Sequence, residues 1–147
     1  MTATAHALVG GAIAASVPDP TLGITLSVVS HPLLDMVPHW DFGKGWRNKN
    51  KFNFLMEGIF DMGLGLALSY ALFGRGVNPA YFFGVVLASL FFDLIQVPYW
   101  FFKWRFPPFS WVYRSQSAIQ GHAKLPWGIL NQVIAVVLVV ILLRIVY

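Results

Sequence analysis

Cysteine is absent from the 147 residues, which removes disulfides, Cys-ligated zinc and iron–sulfur clusters from consideration. Charge is scarce too. Asp, Glu, Lys and Arg make up 11% of the chain, against about 25% in a soluble domain. Acids are the rarer sign, six against ten Lys and Arg. What fills the chain instead is apolar: 57% hydrophobic residues and a mean hydropathy of +0.65. This is the composition of an integral membrane protein, and the length allows a single domain, residues 1–147. The net charge of +4 suits a membrane surface with anionic headgroups. No nucleic-acid-binding motif accompanies it, so nucleic acid is not an expected partner. The small, apolar run at 7–17 lacks the Lys or Arg that opens a signal peptide, so a retained helix is expected there.

Breakers divide the chain into five apolar segments: 3–17, ended by "PDP"; 21–37, stopped near Pro38; 52–73, ended by "GRGVNP"; 80–97; and 125–147. The expected fold is therefore all-α, a membrane bundle of about five transmembrane helices, although the first two segments are short for a span of about 20 residues. Short loops make successive helices antiparallel. The side that carries the N-terminus then also carries the 38–51 and 98–124 loops, with Lys44, Arg47, Lys49, Lys51, Lys103, Arg105, Arg114 and Lys124. The other side has only Arg75 and Arg144. The positive-inside rule places the first side, with the N-terminus, in the cytoplasm and the C-terminus outside an inner or plasma membrane.

That assignment used only Lys and Arg, yet the ligand-type residues follow it. His6, His31, Asp35, His39, Asp41, Glu57, Asp61, Asp93 and His122 all fall on the N-terminal side; Asp19 alone does not. His31 and Asp35 are four apart, so they share a helix face with about 6 Å between them along the axis. Asn53, Glu57 and Asp61 form a second such stripe. Ionisable groups at membrane depth are costly and normally face a bundle interior or a wet cavity. A cation among them would stabilise several carboxylates at once. Singly, each has a structural alternative. Asp41 could cap a loop. Glu57 and Asp61 could complement a helix N-terminus or pair with Lys51, and Asp93 could bond Tyr99 or a backbone amide. Together they point to a divalent transition metal, zinc first, with manganese or iron as alternatives and room for two or more ions.

Residues 97–114, "VPYWFFKWRFPPFSWVYR", form an aromatic and basic stretch that runs from the end of the fourth segment into the 98–124 loop. Trp and Tyr beside Lys and Arg mark an interfacial anchor in contact with lipid. The sharper reading is a groove wall in which Arg105 and Arg114 hold a substrate phosphate by bidentate hydrogen bonds.

The opening "TATAHALVGGAIAASVPD", the stretch "SHPLLDMVPHWD" and the later "FFDLIQVPYW" are similar to the YdjM-like inner-membrane metal-dependent hydrolases. Those begin with a Thr-His pair before a Gly- and Ala-rich helix, continue through His-x-x-x-Asp-x-x-Pro-His and Asp-x-x-Gln, and place a His ahead of the last helix, here His122. This chain differs in carrying Ala5 for the Thr and "PHWD" for a Pro-Asp-x-Asp-His box, and it has no His-Arg-Gly-x-Thr-His box. More remotely the layout resembles zinc-dependent phospholipase C. The resemblance implies a metal-dependent hydrolase. With the residue pattern it gives the working expectation of hydrolysis of a lipid-linked phosphoester at the cytoplasmic face. His6, His31, Asp35, Asp61, Asp93 and His122 would hold metal, with His39 supplementary. Glu57, one turn from Asp61, would be the general base. Two other readings compete: a metal or ion transporter, which needs polar residues through the full bilayer depth, and a membrane scaffold with a structural metal in a closed shell.

Overall fold

The computed structural model describes all 147 residues and contains seven α-helices and no β-sheet. They are α1 (Ala3–Ser16), α2 (Pro20–Asp35), α3 (Lys51–Phe73), α4 (Pro79–Ser89), α5 (Phe91–Phe101), α6 (Phe109–Ile119) and α7 (Trp127–Val146), with a 3₁₀ turn at Trp46–Asn48. Local chemistry sets most of the starts. Thr2, Asp19, Asn50 and Asn78 are N-caps whose side chains accept from the first-turn amides of α1, α2, α3 and α4, and Pro20 and Pro79 follow two of them at the position where proline loses no hydrogen bond. The acid on the far side, Asp19, is explained by its bond from the Leu22 amide at 2.7 Å.

The expectation of about five transmembrane helices needs correction. Only α3 and α7 are long and apolar enough to cross a membrane alone; α4 and α5 together would make a third span, bent by 55°. The 14 residues of α1 rise about 21 Å and the 16 of α2 about 24 Å, short of a hydrocarbon core of about 30 Å. Apolar character in α1 has another cause. Ala5, Ala7, Val9, Ala12, Ile13 and Ala14 are all buried, because α1 runs through the middle of the bundle against α2, α3, α4 and α7. A helix that is apolar all round is buried by protein or by lipid, and here protein does it. By contrast, α3 and α7 leave most of their apolar residues exposed. The fourth apolar segment is two helices, and the 98–124 loop contains α6.

Small residues let α1 sit this deep. A methyl group on Gly65 of α3 would lie 2.8 Å from the Thr4 Cα and 3.0 Å from the Ala7 Cβ. Gly65→Ala must therefore push the two backbones apart. We expect it to destabilise the protein by about 1–3 kcal/mol, the usual cost of overpacking, read as a lower unfolding midpoint in detergent; an unchanged midpoint would mean that α1 is not clamped against α3 at this point.

Candidate metal centre

Helix ends build the centre. His6 lies one turn into α1, His31 one turn before the end of α2, and Asp93 in the first turn of α5. His6 and His31 are completely buried, and their rings stack 3.7 Å apart and 8° from parallel. Asp35 lies beneath them: its Oδ1 is 3.2 Å from His6 Nε2 and its Oδ2 is 3.3 Å from His31 Nε2. The amine of Met1 also donates to Asp35 Oδ1. His31 Nε2 is 3.8 Å from Asp93 Oδ1. One ligand atom from each of His6, His31 and Asp93 lies within 4.8 Å of the others.

The proton positions follow from the acceptors. Asp35 can only accept, so His6 carries its proton on Nε2 and leaves Nδ1 bare. Ser89 O lies 2.6 Å from His31 Nδ1, so that nitrogen donates and Nε2 of the neutral ring is bare. His31 therefore aims a lone pair at carboxylate oxygens of Asp35 and Asp93, an arrangement that needs a proton or a cation between them. His6 Nδ1, His31 Nε2 and Asp93 Oδ2 are each buried without a hydrogen-bond partner. Buried polar atoms are rarely orphaned. Each residue of the His–His–Asp triad carries one, the triad fits a divalent cation, and the carbonyl held by His31 Nδ1 is the kind of outer contact that orients a ligating imidazole.

The break between α4 and α5 makes this possible. Ser89 ends α4, so its carbonyl is free to take the His31 proton; Leu90 bridges to Phe91, where α5 begins.

A second group adjoins the first. His39 Nδ1 donates to Val37 O at 2.7 Å. Its Nε2 faces Asp41 Oδ2 at 3.4 Å, the Gln120 amide nitrogen at 3.2 Å and Asp35 Oδ1 at 4.0 Å. The segment after α2 is pinned by a short parallel pairing: Gly121 N donates to Asp35 O at 2.8 Å, and Ala123 N to His39 O at 2.8 Å. This brings the His122 ring to 6.2 Å from His39, centroid to centroid. Gly121 is required by the approach, since a methyl there would stand 2.7 Å from Met36 O. Burial by itself would raise the Asp41 carboxyl, but the His39 hydrogen bond, the N-terminal charge and the Lys44 amide hold it below the ordinary carboxylate range.

Four expected site residues have other surroundings. Asp61 is buried, but its carboxylate accepts from Ala3 N at 2.7 Å, Thr4 N at 3.1 Å and Thr4 Oγ at 2.7 Å. It caps α1 from a neighbouring helix. Asp61→Ala leaves the Ala3 and Thr4 amides unpaired, while the Thr4 hydroxyl keeps its bond to the residue-61 carbonyl at 2.9 Å; it should cost about 2–3 kcal/mol while metal content stays unchanged, and loss of metal at unchanged stability would return Asp61 to the ligand set. Glu57 pairs with Lys49, whose ammonium also donates to Phe42 O at 2.9 Å. The pair ties the loop ahead of α3 to that helix, and Glu57 does not line the cavity described next. Arg105 and Arg114 are exposed and do not line it either.

Residues outside the expected ligand set also surround the carboxylates. Asp41 approaches His39. Gln116 donates to Asp35 Oδ2 at 3.4 Å and Gln120 to Asp41 Oδ2 at 3.3 Å. The four-residue spacing of Gln116 on α6 and Gln120 at its C-cap was the available signal, as one face of a helix.

A cavity of about 420 Å³ opens beside the centre, with Asp35, Asp41, Asp93 and His122 in its lining. Arg75 and Arg144 lie far from it, together in a crevice with Ser16 and Phe73 at the opposite end of the bundle. Comparison with family models, with curated proteins and with solved structures gives no match.

Proposed function

We propose that this chain is a membrane-embedded, metal-dependent hydrolase of a lipid-linked phosphoester, as the resemblance to the YdjM-like hydrolases implies. The observation that carries the reading is the buried triad of His6, His31 and Asp93, each with an orphaned polar atom, which reaches through Asp93 a cavity whose lining is half hydrophobic. The exposed apolar faces of α3 and α7 support residence in a bilayer, in contact with its lipids. Exposed Phe102, Trp104, Phe106 and Trp111 support an aromatic belt at the level of the centre. The excess of Lys and Arg at the same end supports a cytoplasmic site and N-terminus, with the C-terminus outside.

Zinc would suit the His–His–Asp donors, and three protein ligands are the number used by catalytic rather than closed structural sites. When bound, the cation supplies positive charge that polarises a phosphoryl oxygen and acidifies water. The chain's own residues do the rest. Ser89 O and Asp35 fix the imidazole tautomers. Gln116 and the Met1 amine hold Asp35 in place. His39, Asp41 and His122 would supply donors for a further ion, with Asp35 Oδ1 4.0 Å from His39 Nε2. Hydrolysis adds one water across the P–O ester bond and releases an alcohol and a phosphate. The Lys49 pairing moves the base role away from Glu57, so Glu57→Gln and Lys49→Met should have small, matching effects.

The test is phosphate or headgroup release from phosphatidic acid, other phospholipids and polyprenyl phosphates in detergent. Release should appear with zinc-loaded protein, vanish on chelation and return with zinc. Release that survives complete metal removal overturns the mechanism. Zinc-loaded protein that cleaves nothing points to the structural-metal scaffold. A loss of about 10²-fold or more in Glu57→Gln alone would restore its role as base.

A further inference from the structure

The cavity beside the metal centre continues sideways between α3 and α5. Leu55, Gly58, Ile59 and Met62 line it from one face of α3, and Leu94 and Val97 from the facing side of α5. Leu55, Ile59 and Leu94 are 41%, 50% and 40% exposed, so these apolar walls run out onto the flank of the bundle. The roof has the opposite character. Lys44 and Arg47 line the cavity from the loop before α3, and neither has a carboxylate within salt-bridge distance. Arg47 is held in place: its guanidinium donates to the Tyr113 hydroxyl at 3.1 Å and lies 5.3 Å from the Trp46 ring centre. Trp46 in turn packs edge-on against Tyr99 and Tyr113, which stack on each other at 4.1 Å. One cavity thus joins metal-type donors, two unpaired cations and an apolar exit towards the membrane. Its volume falls in the range of about 300–1,000 Å³ usual for small-molecule sites.

We propose that the cleft between α3 and α5 admits the hydrocarbon tail of a phosphate-bearing lipid, and that Lys44 and Arg47 hold its phosphate beside the metal centre. This rests on the reading of the site as a phosphoesterase and names its substrate class: a single-tailed or splayed phospholipid anion entering from the bilayer side. The phosphate contacts move from Arg105 and Arg114 to the loop residues that line the cavity. A tail in the cleft leaves water for its apolar walls, and the phosphate meets charge-assisted donors at the roof.

Gly58 makes the proposal testable, because a side chain there would project into open space: nothing lies within 4 Å of an added methyl. Gly84 on α4 is equally open but does not line the cavity, so it serves as the matched control. The probe is hexadecyl phosphate with a photoactivatable diazirine at the tail end, bound to zinc-loaded protein in detergent. Crosslinks should map to α3 and α5 along the cleft. Gly58→Phe should reduce them at least about tenfold at unchanged zinc content, as expected when a binding volume is filled, while Gly84→Phe leaves them intact. Arg47→Ala should weaken hexadecyl phosphate about 10- to 100-fold, the worth of a hydrogen bond to a charged group, and leave hexadecanol unaffected. Inorganic phosphate should compete only weakly.

Crosslinks spread evenly over the exposed faces of α3 and α7, or untouched by Gly58→Phe, would overturn the proposal. Inorganic phosphate competing as well as the alkyl phosphate would also overturn it, because the tail would then contribute nothing. Specific binding without turnover supports the cleft and counts only against hydrolysis, so the two failures are distinguishable.

Discussion

Metal affinity in His31→Ala and in His6→Ala is expected to fall by at least about 100-fold. Even a residue that only orients a ligand is worth about 10- to 100-fold, and each of these supplies an orphaned nitrogen itself. The measurement is competition against a chromophoric chelator, paired with elemental analysis of purified protein. His31 also takes the Ser89 carbonyl, so its loss could disturb the α4–α5 junction; an unfolding curve on the same metal-free sample separates that from loss of a ligand. Arg75→Gln, at the far end of the bundle, should bind metal normally. His39→Ala should lower the number of ions held without emptying the triad, if the second donor group is a second site. Affinity should weaken on acidification in every variant that binds, because an imidazole ligates only when its nitrogen is unprotonated. Unchanged affinity in both His6→Ala and His31→Ala would remove the triad as a metal centre.

Much of the centre was legible because the chain spends so few polar residues. With four histidines and six acids in 147 residues, the confinement of all of them but Asp19 to one end is visible once the segments are laid antiparallel. His31 and Asp35 needed only helical spacing. Asp93 and His6 needed only the side of the membrane, and the bundle supplied the rest by burying α1 at its centre. Asp61 belongs to the same stripe and end, but sequence spacing could not reveal that its oxygens face the first turn of α1. A carboxylate that caps a neighbouring helix and one that binds a cation look alike until donors are placed.

The count of membrane spans failed for a related reason. Hydropathy reports that a segment avoids water, and α1 avoids it inside protein. Its 14-residue length was the better guide. The break at Leu90 had no warning, since neither Gly nor Pro stands at 89–91. It shows only in the tertiary structure, where the interrupted helix presents Ser89 O to His31, an acceptor that a continuous helix would have used for its own ladder. Lys44 and Arg47 were counted for topology but not for chemistry, because their place in the cavity depends on Trp46 packing against α5 and α6.

Asp35 should be the residue whose loss costs the fold most, with metal absent. Its side chain is 4% exposed. It accepts from the Met1 amine, His6 Nε2 and Gln116, and it lies within 4.0 Å of both His31 and His39. Asp35→Ala would bury an ammonium with no anion beside it and strand a further set of donors. Breaking a buried ion pair from one side costs about 3–5 kcal/mol, more than the cap at Asp61. Asp35→Asn keeps the volume and one acceptor oxygen but not the charge, so it should fall between Asp35→Ala and the parent. Unfolding of chelated protein in mixed micelles gives the ranking. Metal then separates the two roles of the residue: if Asp35 also lies between two ion sites, added zinc should raise the midpoint of the parent by more than that of either variant, which keeps only the His6–His31–Asp93 triad. A metal-free Asp35→Ala within about 1 kcal/mol of the parent, less than the full cost of an uncompensated buried charge, would show that the amine and the histidines do not depend on this carboxylate. The centre would then be organised by its ion and not by its own charges.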